Sequence, residues 1–492
     1  MAKHILDGEN FLYFYGQSYM GSLDAYLVAL GFLLFGEQVW VIRLIQLILY
    51  GLVIIFSYLF VNISFQNKKI AFVSSLFLVF PAVNVVLYTT VSLGGYGEAM
   101  LLGVVSFYVA AFIVKGIEIY KKINHVYLGI LGFLLGIGLF VNPISLTMII
   151  PAIVFVAWKI VKSNKSKKKI FVQFLFLLIF FLLGSALFWY SLILTNGLSV
   201  IREIGGSAVA VESESYFQLI KSHAISLILF GPTVILGLRP PWGVNLIGIV
   251  FIPFVILYWI FTIYLLGKEK YKFKDAPIFV ALTGVIILVA GGFIFTSFGI
   301  DPSGRYFLPI VFPLSVFFGY AFIKLNNKVI YALGIITLVF HLYGAWKSGT
   351  EEPYMTTQFY SPAQVDHSRI NELQKFLIHE EEYYGFSNYW ISYPLAFVSD
   401  EKIISIPKLP YHQDLRFTER DNRISKYNEI LEMGSSYFYI TSNNPKLDDL
   451  LVRAFQENYI DYLQKQIDDY HVFYNLSKKI TPEELGITNE FN

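Results

Sequence analysis

The sequence contains no cysteine. That excludes disulfides, thiolate metal sites and a cysteine nucleophile together. Charge is also scarce. Asp, Glu, Lys and Arg make up 15% of the 492 residues, against about 25% in an average soluble domain. What charge there is nearly cancels, at a net +2, so no nucleic-acid partner is suggested. No GxxxxGK[ST] loop occurs, which argues against an ATP-driven pump. The histidines (His4, His125, His223, His341, His367, His379, His412 and His471) show no ligand spacing, so no zinc site is expected. The opening MAKHILDGEN has no apolar core and does not read as a cleavable signal peptide.

Apolar and aromatic side chains take the place of charge. They bring the hydrophobic fraction to 56%, with 46 Phe and 34 Tyr, and the mean hydropathy is +0.59. Most of the chain must therefore face lipid. A span needs about 20 mostly apolar residues. Ten segments meet this, near 38–62, 70–88, 100–116, 125–141, 144–160, 170–194, 246–266, 276–297, 306–324 and 329–346. Segment 22–36 is apolar but short and carries Asp24, which predicts an interfacial or re-entrant helix.

Lysines orient the spans. One set of loops holds Lys68 and Lys69; Lys115, Lys121 and Lys122; Lys159, Lys162, Lys165, Lys167, Lys168 and Lys169; Lys268, Lys270, Lys272 and Lys274; and Lys324 and Lys328. The opposite loops, 89–99, 195–245 and 298–305, are poor in lysine, so the lysine side is expected to be cytoplasmic. Segment 225–238 is apolar, yet a full span there would move the GKEKYKFK loop outside. Residues 225–245 are assigned to an outer loop or half-inserted hairpin. The same parity places residues 1–37 outside, which predicts a further span upstream of this sequence. From 347 to 492 the chain turns polar. It alternates helix (367–379), strand (383–387), helix (388–397), strand (401–406) and helix (445–458), the pattern of a small α/β domain, which parity places outside. The fold expected is an all-α polytopic membrane domain over 1–346, followed by this soluble α/β domain over 347–492.

An ionisable residue at membrane depth is a functional candidate by default. Glu98 lies in SLGGYGEAM, where an outer loop enters a span. It is either a general base or sugar ligand, or an acid favoured at a helix start. Asp24 lies in YGQSYMGSLDAYL, a mixture of polar and aromatic side chains suited to sugar, or simply the polar edge of an amphipathic helix. Tyr15, Gln17 and Tyr19 in that stretch, and Tyr96 beside Glu98, are candidate substrate contacts. Arg305 and Tyr306 lie in DPSGRYFLPIVFPL, where the guanidinium either grips a phosphate or snorkels to the headgroups. Arg239, in an Arg-Pro-Pro-Trp turn, reads as an interface anchor, and Arg43 as structural. Arg202 and Glu203 sit in a loop polar enough to be a lid.

The stretch from AKHILDGENF through YGQSYMGSLDAYL to WVIRL, the later GGYGE and the GRYFLPIVFPL segment resemble the GT-C glycosyltransferases related to protein O-mannosyltransferases and aminoarabinose lipid A transferases. GFSNYWISYPLAFVSDEKI resembles the outer domain of some members. The resemblance implies an active site on the outer face. It implies a polyprenyl-phosphate sugar donor, and a glycan, lipid or protein acceptor in the cell envelope. Glu98 would be the second catalytic acid, Gln17 would lie near the donor phosphate and Arg305 would neutralise it. The family's first acid precedes the segment that here is Ala2 to Gly8, and this sequence has no counterpart. Either a longer N-terminus supplies it, or Asp7, Glu9 or Asp24 substitutes, or the polypeptide is inactive. No cofactor is indicated, and metal assistance stays open. A lipid-linked-sugar transporter and a non-enzymatic envelope assembly protein are the alternatives.

Overall fold

The computed structural model describes residues 1–163, 166–194, 215–269, 276–301, 303–412, 415 and 418–487. Arg202, Glu203, Lys165, Lys270, Lys272 and Lys274 lie outside them. The chain divides into two compact units, Met1–Glu351 and Glu352–Asn492.

The first unit is helical. Among the described residues, seven helices are long and apolar enough to cross a membrane: Val39–Phe65, Tyr96–Tyr120, Pro143–Ser163, Tyr216–Ile235, Pro277–Phe295, Arg305–Lys324 and Lys328–Thr350. The bent pair Lys167–Gly184 and Ala186–Leu194 makes an eighth if it is one span. Shorter apolar helices cover Leu23–Phe35, His125–Val141 and Ile249–Tyr264. The chain is a multi-pass membrane protein. Asparagines start several helices at the expected loops: Asn67, Asn124 and Asn327 each accept a hydrogen bond from a backbone N–H in the first turn.

Three segments differ from the sequence reading. Span 70–88 is broken into Lys68–Val79 and Val83–Tyr88, because Pro81 cannot continue the helical ladder. Span 170–194 bends by 55° at Ser185. There the Ser185 hydroxyl donates to the Phe181 carbonyl at 2.7 Å and accepts from the Trp189 indole at 2.8 Å. The segment assigned to an outer loop belongs to one continuous helix, Tyr216–Ile235. A Ser215–Gln218 capping box starts it upstream of the apolar run and gives it spanning length.

Glycines let some helices touch backbone to backbone. A Cβ on Gly132 would lie 2.4 Å from the Leu177 carbonyl oxygen, and one on Gly136 would lie 2.3 Å from that of Phe181.

The second unit is an α/β domain. Its strands are β3 (Tyr384–Ser387), β4 (Ile404–Pro407), β5 (Phe438–Ser442), β6 (Leu463–Ile467) and β7 (Tyr470–Tyr474), in the order β4-β3-β5-β7-β6. The first three in that order run parallel, and β7 and β6 continue antiparallel. Alternate residues of β5 feed opposite faces: Tyr439 joins a core with Leu451 and Phe455, while Phe438 and Ile440 join one with Leu373, Leu377 and Ile391. The helices expected at 367–379, 388–397 and 445–458 are present within a few residues of those limits.

Candidate functional site

A small hairpin precedes the first apolar helix. Strands β1 (Tyr13–Phe14) and β2 (Gln17–Gly21) pair Phe14 with Gln17 across a Tyr15–Gly16 turn. Gly16 takes φ +66° there, a conformation that favours glycine. β2 carries Tyr19 and Met20 and leads into Leu23–Phe35, which places Asp24 in the first turn. Asp24 is buried, with 1% of its surface exposed. Its carboxylate accepts from the Gln46 side chain at 2.7 Å and from the Ser92 hydroxyl at 2.5 Å. The Gly94 backbone N–H is a third donor.

Glu98 comes to the same place. Gly94 and Gly95, at φ +85° and +81°, turn the chain into Tyr96–Tyr120 and set Glu98 in its first turn, 3% exposed. The two carboxyl groups lie beside each other. Their environments differ: Asp24 is held by Gln46, Ser92 and Gly94, whereas Glu98 meets only the Asp24 carboxyl and its own backbone N–H. A buried charge without a partner is costly. Glu98 therefore calls for a proton, or for a donor that a ligand brings.

In front of this pair is a cavity of about 190 Å³. Tyr19, Met20, Tyr96, Asn142, Pro143, Ile144, Thr147, Phe293, Thr296, Phe298 and Tyr306 are among the residues that line it. Met20 and Tyr96 come from the same two segments as Asp24 and Glu98, but the acids themselves do not line the cavity. Asn142 shapes its wall, because its amide donates to the Gly94 carbonyl at 3.1 Å while its oxygen accepts from the Ile144 N–H.

Arg305 stands next to the cavity. It is ion-paired with Asp301 at 2.5 Å, and its guanidinium lies 5.0 Å from the Tyr306 ring centroid. Tyr96 and Tyr88 are also within its electrostatic reach. Tyr96 thus faces the arginine, two positions before Glu98 in the same helix.

The structure therefore gathers Asp24, Glu98, Tyr19, Tyr96, Arg305 and Tyr306 in one region. Gln17 is nearby, with its side-chain oxygen 3.7 Å from where a Cβ on Gly94 would be. Tyr15 is turned to other work: its hydroxyl bonds His4 Nδ1 at 2.5 Å and its ring packs on Phe11. Arg239 is not an exposed anchor. It is 2% exposed and donates to Thr233, Pro240, Gly243 and Phe230. Arg43 donates to the Thr90 carbonyl at 2.8 Å. Sequence reasoning missed Gln46, Ser92, Asn142 and Asp301. Gln46 had a signal, as a carboxamide within an otherwise apolar span. Asp301 had one too, four residues before Arg305. Among the described residues no three His, Asp or Glu side chains gather as a metal site requires.

The family described as dolichyl-phosphate-mannose-protein mannosyltransferase matches residues 22–189, the segment holding both acids. The whole chain is similar in structure to ArnT from Cupriavidus metallidurans bound to undecaprenyl phosphate. The TM-score is 0.56 at 12% identity, over 97% of this chain and 92% of that one. The family match covers about a third of the chain, and the likeness to ArnT over the whole chain is one of fold. A looser likeness, TM-score 0.48 at 11% identity, reaches the oligosaccharyltransferase AglB from Archaeoglobus fulgidus in complex with an inhibitory peptide and a dolichol-phosphate. It covers 96% of this chain and 69% of that one. No curated protein matches the chain by sequence. Of the two units, the first holds the helical membrane body and the second the small sheet domain.

Proposed function

We propose that the chain transfers a sugar from a polyprenyl-phosphate donor to a glycan, lipid or protein acceptor of the cell envelope, at the outer face of the membrane. The observation that carries this reading is Glu98. It is a buried carboxyl whose side-chain neighbour is Asp24, in the same region as an aromatic cavity lined by Tyr96 and Tyr306, with Arg305 over the Tyr306 ring. The bound lipid phosphate of ArnT supports the donor class.

The reaction is a single inverting displacement. Glu98 takes the proton of an acceptor hydroxyl. That oxygen attacks the anomeric carbon, the bond from that carbon to the phosphate oxygen breaks, and the polyprenyl phosphate leaves with the electron pair. Asp24, locked by Gln46, Ser92 and Gly94, orients Glu98. Arg305 meets the charge that grows on the leaving phosphate, which lowers the transition state more than the ground state. Tyr19, Tyr96 and Tyr306 offer rings to the sugar and hydroxyls to its polar edges.

The bend at Ser185 does not favour a transporter, because its side chain is satisfied within the helix itself and offers nothing to a passing ligand. The test is release of polyprenyl phosphate by the purified chain, incubated with a panel of polyprenyl-phosphate sugars and envelope acceptors. Glu98→Gln should lower the rate about 100-fold or more while the helical content stays unchanged. Wild-type turnover in that variant removes Glu98 from the chemistry.

A further inference from the structure

The second unit carries a set of groups that the transferase reading does not use. In the sheet, β3 is followed in sequence by β4 on one side, and the chain then crosses back to β5 on the other. The strand order thus reverses between β3 and β5, and open α/β sheets bind ligands outside the carboxyl ends of their strands at such a point. At that edge stands a row of rings. Tyr389 and Trp390 follow β3 directly, with centroids 4.7 Å apart. Tyr411 and His412 follow β4 and stack at 4.5 Å, and Tyr411 lies 6.5 Å from Trp390. Tyr360 continues the row, 4.9 Å from His412. It is held at this edge because the neighbouring Pro362 carbonyl accepts from Asn388 and Ser442, at the ends of β3 and β5.

The row is not a closed core. Tyr360 is 39% exposed, and Tyr389, Trp390, Tyr411 and His412 are partly exposed. Polar groups are set among the rings. The Trp390 indole N–H has no acceptor among the described residues. The Arg423 guanidinium lies 4.7 Å from the Tyr389 ring centroid. Its loop is pinned, because the Tyr393 hydroxyl donates to the Asp421 carbonyl at 2.8 Å and accepts the Arg423 N–H at 2.7 Å.

We propose that this edge is a glycan-binding site, in which Trp390, Tyr411 and Tyr360 stack on the apolar faces of pyranose rings while Arg423 bonds their oxygens. Rings arranged in a row with fixed donors between them suit a flat, polyhydroxylated ligand. A nucleotide fits less well. The β3-to-helix turn reads Ser387-Asn388-Tyr389-Trp390, with no glycine to admit a pyrophosphate. The Asn388 side chain already accepts the Trp390 N–H at the helix start. That the site holds a glycan stands on this geometry; that the glycan is the acceptor rests on the transferase reading.

The test is binding of the full chain, in lipid nanodiscs, to a printed glycan array, followed by titration of the strongest hit. The expected result is retention of at least one glycan above empty nanodiscs. Binding should weaken about tenfold or more in Trp390→Ala, and also in Arg423→Gln, a milder change at a partly exposed side chain. Gln464→Ala, at an exposed position on β6 at the opposite end of the sheet, should bind as the parent does. An array without hits, displacement of the glycan by a nucleotide, or equal binding by both edge variants overturns the site. If the glycan binds but the parent chain, active on another acceptor, does not glycosylate it, the site stands and the acceptor role falls.

Discussion

Asp24 and Glu98 show how neighbouring carboxyl groups acquire different jobs. One has donors on three sides; the other has its own backbone N–H and the first carboxyl. Gln46 should therefore act through Asp24. Gln46→Leu is expected to lower kcat while leaving the donor KM within about twofold, because it touches the orienting acid and not the donor. Arg305→Lys should do the reverse and raise the donor KM about tenfold, since an ammonium cannot hold phosphate through two parallel bonds. Steady-state kinetics on the two variants separates the roles. In the second unit, burial raises the Asp421 carboxyl from 3.8 to about 6, against the opposing pull of Tyr411 and Arg423. The folded state thus keeps a proton that the unfolded chain sheds, and stability falls as pH rises from about 4 to 6. The loss is complete above that window, at about 3 kcal/mol. Asp421→Asn should slow hydrogen exchange of β3 and β5 at pH 7.5 relative to the parent, and the difference should shrink at pH 4.5.

At the level of elements, packing in the membrane unit depends on glycine at particular contacts. Gly136→Ala forces a methyl against the Phe181 carbonyl and the Ser185 N–H, whereas Gly51→Ala meets nothing within 4 Å. Gly136→Ala should lower the melting temperature in detergent, and Gly51→Ala should leave it unchanged or raise it slightly. Most spans were legible because twenty apolar residues in a row have few other fates. The Tyr216–Ile235 helix was not, because lysine parity weighed against it and its capping box lies upstream of the apolar run. β6 was hidden by its exposed, polar side chains in Leu463–Ile467. The acid pair was half legible. Glu98 and Asp24 each stand out in an apolar setting, but their meeting depends on contacts such as Asp24 with Ser92, 68 positions apart, which no local pattern encodes.

For the whole molecule, the two units have separate sources of stability. The second has apolar cores on both faces of its sheet, built from its own residues. Residues 352–492 expressed alone should remain soluble and unfold in one cooperative thermal transition by circular dichroism; a chain lacking fixed structure would contradict the division. In the first unit an aromatic cavity, an arginine and two acids gather in one region, the proposed site of a lipid-linked sugar. The most direct test of that proposal is photocrosslinking of the intact chain with a polyprenyl phosphate that carries a diazirine beside the phosphate, followed by peptide mapping. The account predicts labelling of the segments holding Tyr19, Tyr96, Pro143 to Thr147 and Phe293 to Tyr306, reduced in Arg305→Ala. Label spread along other apolar helices, with these segments unmarked, would contradict it.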